Sequence, residues 1–81
     1  MQYNEIYERF SAIVAEESGE EVSRIKPNTD IQKDLKMDSL DIVELMMHTE
    51  DVFKMEIPDE ESDDLNTVEA VCKYIEKNQK K

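Results

Sequence analysis

Three stretches of this chain bring apolar side chains round at the roughly 3.6-residue period of an α-helix, and that recurrence limits the fold more than any other feature. Tyr3, Ile6, Tyr7, Phe10, Ile13 and Val14 fall on one face of a first helix, expected over about residues 3–17 with Gly19 as its C-terminal stop. Ile42, Leu45, Met46, Thr49, Val52 and Phe53 share a face of a second, expected from Ser39 to Phe53. Val68, Val71, Cys72 and Ile75 share a face of the last, with Thr67 as its N-cap. A short helix is expected over Asp59–Asp64, whose acids suit a positive N-terminal end. The predicted fold is all-α: a small antiparallel bundle of three long helices plus one short helix, one domain spanning residues 1–81. The segment between helices one and two, residues 19–38, is long for a loop, which usually signals function. Val22, Ile25, Ile31 and Leu35 are expected to dip from it into the core. Pro27-Asn28 marks a turn, and Thr29-Asp30-Ile31-Gln32 has capping-box spacing.

Size and charge narrow the function. A chain of 81 residues buries only roughly 60–65% of its unfolded surface, too little core for a deep preorganised cleft. The net charge is −11 and unevenly placed. Residues 38–64 hold eleven acids and one base, whereas residues 65–81 hold two acids and four lysines. Such a field repels nucleic acid and anionic membranes, and it steers partners with basic patches through their on-rate. The plainer reading is that acidity keeps a small domain in solution. No apolar run approaches a bilayer span, and Met1-Gln2-Tyr3-Asn4-Glu5 does not read as a signal peptide. A lone Cys72 rules out an intramolecular disulfide and fits a reducing cytoplasm.

The second helix carries an unusual second face. Leu40, Val43 and Met47 lie there among Glu44, Glu50 and Asp51, and apolar groups rimmed by charge often mark an interaction site. At the head of the helix stands Asp38-Ser39-Leu40. Ser39 has no general base beside it in sequence, so it reads as a handle for another enzyme rather than a nucleophile. The alternative is plain capping, since either Asp38 or Ser39 could accept a bond from the first turn.

The wider segment Asp34-Leu35-Lys36-Met37-Asp38-Ser39-Leu40-Asp41-Ile42-Val43-Glu44-Leu45, followed by Phe53 and Ile57-Pro58-Asp59-Glu60-Glu61, resembles the acyl carrier protein family over essentially the whole chain. The resemblance implies that Ser39 carries 4′-phosphopantetheine through a phosphodiester, with acyl groups held as thioesters on the arm. It implies no catalysis by the chain itself. Asp38, Leu40, Asp41, Val43, Glu44 and Met47 match positions that contact the phosphopantetheinyl transferase and the acyl-processing enzymes. Glu50 and Glu60 match the edge of that patch. The expected partners are the condensing, reducing and dehydrating enzymes of fatty-acid synthesis, met by a cytoplasmic monomer. The acyl chain would shelter among Ile42, Leu45, Met46 and Ile57, between helix two and the short helix.

The chain departs from the family pattern at Lys36, where glycine is usual and tolerates φ > 0. It also departs at Met37, larger than the usual small residue, and at Thr49, on the core face of helix two. These favour a specialised carrier for polyketide, aminoacyl or other cargo as a second reading. An unmodified acidic helical adaptor is a third. His48 reads as a surface or boundary side chain, and Cys72 as core. The carboxylates of Glu56–Asp64 lack an EF-hand's glycine and spacing, so only weak, nonspecific cation binding is expected of them.

Overall fold

The structure, a computed structural model, describes residues 1–58 and 65–79. Its helices are α1 (Tyr3–Ser18), α2 (Ser39–Phe53) and α3 (Val68–Asn78), with one turn of 3-10 helix at Val22–Arg24. The expected short helix at Asp59–Asp64 lies outside the described residues. α1 packs against both other helices. The Met1 ammonium donates to Gln79 Oε1 (2.9 Å) and Gln79 Nε2 donates to the Met1 carbonyl (2.7 Å), so α1 and α3 run antiparallel, start beside end.

The helices stop and start where their residues allow it. Gly19, at φ 78°, closes α1 by donating its N–H to the Ala15 carbonyl, a left-handed conformation that costs glycine no Cβ clash. Thr67 Oγ1 accepts the Ala70 N–H (3.1 Å) and caps α3. The faces read from periodicity are the buried ones: Ile6, Phe10, Ile13 and Val14 of α1, Leu45, Met46 and Thr49 of α2, and Val68, Val71, Cys72 and Ile75 of α3. Fully burying each large aliphatic or aromatic side chain contributes about 1.5–3 kcal/mol. Thr49 is accommodated because its hydroxyl donates to the Leu45 carbonyl one turn back (2.7 Å). Ser11 Oγ, also buried, has no such partner among the described residues.

The long loop is fastened rather than free. Ile25, Ile31 and Met37 are buried and Leu35 is half-buried. Val22, expected in the core, is 54% exposed. The 3-10 turn points it outward while Ile25 takes the inward position, with the Tyr7 hydroxyl donating to the Ile25 carbonyl (3.0 Å). The cap of the next turn is Asp30, not Thr29. Thr29 Oγ1 is already taken by the Lys26 N–H (2.8 Å). Asp30 Oδ1 accepts the N–H groups of Gln32 and Lys33, and Asp34 Oδ2 accepts that of Asp30. Finally, the loop is stitched to the head of α3. The Ile31 N–H donates to the Asn66 carbonyl (2.9 Å), Val68 N–H to Thr29 (3.1 Å) and Glu69 N–H to Pro27 (2.8 Å). Loop carbonyls thus satisfy N–H groups that a helix start leaves orphaned.

Candidate functional site

The question at the head of α2 is which side chain does the capping, and the geometry assigns that work to Asp38. Its backbone is extended (φ −86°, ψ −178°) and its carboxylate accepts the Asp41 N–H (2.9 Å). The Asp41 carboxylate returns to the Asp38 N–H (3.3 Å), completing a reciprocal capping box. Ser39 is therefore the first helical residue, exposed, with its hydroxyl not needed to close the helix end. The N–H groups of Ser39 and Leu40 lie at the positive end of the α2 dipole and take part in no hydrogen bond among the described residues. An exposed hydroxyl beside free amide donors fits a phosphodiester linkage. The flanking carboxylates of Asp38 and Asp41 oppose such a group electrostatically, so they do not hold it; within the chain they fix the helix start.

Two features make the serine a rigid platform. Met37 is buried at 4% exposure and anchors the loop two residues before Ser39. Lys36, exposed, adopts φ 54°, the left-handed conformation that a glycine would take freely and a lysine takes at a cost. Lys36 thus holds a backbone conformation that suits glycine. Nothing in the sequence pattern indicated that Met37 turns inward, because an isolated loop residue has no period to betray its face.

Along the outer side of α2, Leu40, Val43 and Met47 are 71%, 51% and 62% exposed, and Asp38, Asp41 and Glu44 are exposed around them. The structure brings these six together on one side of α2. Glu50 differs. It is half-buried, and its Oε2 accepts the Ile57 N–H at 2.6 Å, so its carboxylate is engaged within the chain. Glu60 lies outside the described residues. On the inner side, Leu45, Met46 and Ile57 belong to the core with Ile42 packed against it.

The remaining reactive groups are occupied otherwise. His48 Nδ1 lies 3.2 Å from Glu17 Oε1 and ties α2 to α1. Cys72 is fully buried. Burial, reinforced by Glu69, pushes its thiol up to about 12, which leaves it protonated and inert at neutral pH.

Comparison with known proteins agrees with this geometry. A family model described as the phosphopantetheine attachment site matches residues 8–75. The chain is 40% identical over 79 residues to an acyl carrier protein of Rubrobacter xylanophilus, covering 98% of each. It is 45% identical over 73 residues to one of Trieres chinensis (90% of this chain, 91% of the relative). A third, from Helicobacter hepaticus, is 43% identical over 72 residues (89% and 95%). The solved structure of an acyl carrier protein from Enterococcus faecalis superposes with a TM-score of 0.82 at 29% identity, covering 96% of this chain and 99% of that one. Helix pattern, site geometry and relatives converge: the chain belongs to the acyl carrier protein family, carriers of 4′-phosphopantetheine rather than enzymes.

Proposed function

We propose that Ser39 Oγ is the attachment point of the 4′-phosphopantetheine arm, and that the chain presents fatty acyl intermediates, as thioesters on that arm, to the enzymes of fatty-acid synthesis. One observation carries the reading: Asp38 performs the capping, so an exposed Ser39 hydroxyl is held at the helix head with no structural task. The arm supplies a terminal thiol on which an acyl group is held. The protein's own residues position the serine, present a docking face and shelter the cargo.

The docking face consists of Asp38, Leu40, Asp41, Val43, Glu44 and Met47. Carboxylates there draw basic side chains of the transferase and the synthesis enzymes, while the three apolar groups complete contact once water is displaced. Each encounter is brief, because a carrier bound tightly to one enzyme would stall the cycle. Ile42, Leu45, Met46 and Ile57 form the apolar interior nearest the tether on this helix. Ile42 lies about 5 Å and Met46 about 10 Å along the axis from Ser39. The chain acts as a single domain and a monomer, in the cytoplasm. No helix among the described residues is long and apolar enough to cross a membrane.

The deciding experiment is intact mass after incubation with coenzyme A, Mg²⁺ and a broad-specificity phosphopantetheinyl transferase. The wild-type chain gains one arm. Ser39→Ala gains none while keeping its helical circular dichroism. A wild-type mass that does not change, or loading of the variant at another residue, overturns the assignment.

A further inference from the structure

Glu50 is an acid in an unfavourable place. It stands in the last turn of α2, where the helix dipole disfavours negative charge, and no basic residue shares that turn. It is also half-buried rather than turned to water. What it does there is visible in the chain that follows. Lys54, at φ 54°, donates its N–H to the Glu50 carbonyl. Met55 N–H donates to the same carbonyl at 3.2 Å. Ile57 N–H donates to the Glu50 carboxylate at 2.6 Å, across seven positions. Among the described residues, every hydrogen bond made by residues 54–58 ends on Glu50.

The side chain this arrangement fixes is Ile57. It is 5% exposed and sits in the same core cluster as Leu45 and Met46, on a stretch with no regular secondary structure. Without the carboxylate, the Ile57 amide would be tied to the bundle only by the packing of its own side chain. A short charge-assisted bond to a backbone N–H is among the stronger single bonds a protein makes.

We propose that Glu50 is a positioning residue for the cargo. Its carboxylate latches Ile57 against the interior that shelters the acyl chain, and it does not serve as a contact for partners. The proposal rests on the carrier reading above. It assigns Glu50 a role distinct from that of Glu44 and Asp41, whose exposed carboxylates face outward.

The test uses the holo protein carrying an octanoyl thioester, with two readouts: amide hydrogen exchange at Ile57, and the rate at which hydroxylamine cleaves the thioester. In Glu50→Ala both rise, the exchange by about tenfold, as loss of a bond to a charged group implies. Exchange at Val71, in α3, stays as in wild type. Glu50→Gln, which keeps an acceptor oxygen, lies close to wild type in both. Equal acceleration at Val71 overturns the latch in favour of general loosening. Faster exchange at Ile57 with unchanged thioester cleavage overturns its connection to the cargo, and a Gln variant indistinguishable from Ala overturns the acceptor role. A wild-type chain that takes up no arm removes the carrier reading and this proposal with it. A loaded chain that fails on the Ala variant removes the latch alone.

Discussion

Lys36 shows how one residue can carry a family departure at a measurable cost. At φ 54° it holds a lysine in the left-handed region, at roughly 1–2 kcal/mol for an L-residue. Lys36→Gly relieves that strain but gives the unfolded chain more freedom, worth about 0.4–1 kcal/mol in the opposite direction. The expected net is a gain of about 0.5–1 kcal/mol, a rise in melting temperature of roughly 3–6 °C for a domain of this size. Thermal unfolding followed by circular dichroism checks it, and an unchanged or lower midpoint contradicts the strain. The departure at Lys36 was legible in the sequence through the resemblance that puts glycine there, whereas the left-handed backbone it adopts is a finding of the structure. The inward turn of Met37 and the engagement of Glu50 were not. Both depend on where a non-periodic segment is pinned, and no spacing rule reports that.

At the scale of the element, the helices were readable from their periodicity and from the ends that carry their own chemistry, Gly19 after α1 and Thr67 before α3. α2 spans Ser39–Phe53 as its periodicity requires, and α3 begins after Thr67 as its cap requires. The loop was only half readable. Its apolar residues pointed to the core, yet Val22 faces water because one 3-10 turn sends it outward. Asp30 took the capping task because Thr29 was already committed to Lys26. The division of labour at the α2 head gives a sharp expectation. Asp38→Ala removes the cap and costs about 1 kcal/mol, whereas Asp38→Asn keeps an acceptor and costs little. Urea unfolding of the two variants separates them. If both lose stability equally, the capping role of Asp38 is wrong. Because Asn lacks the charge, the same pair also reports on docking: transferase loading slows in Asp38→Asn without a matching loss of stability.

At the scale of the molecule, charge sets the terms. A net −11 is spread over a body of 33 × 26 × 19 Å. At about 0.01 M salt the screening length of roughly 30 Å lets nearly every carboxylate repel every other, and at 0.15 M it falls to about 8 Å. Added salt therefore stabilises the fold while slowing association with a basic partner. Urea midpoints and stopped-flow association rates, taken over that range, should move in opposite senses. A salt-insensitive association rate argues against electrostatic steering. One further property follows from the hydrogen bonds between Met1 and Gln79. A polypeptide whose first residue touches its seventy-ninth is already close to a ring. A brief linker could seal that junction, and an exposed turn not tied to a helix end could be opened in its place. The order in which the segments are written along the gene could then be rotated while the serine keeps the surroundings that give it its use.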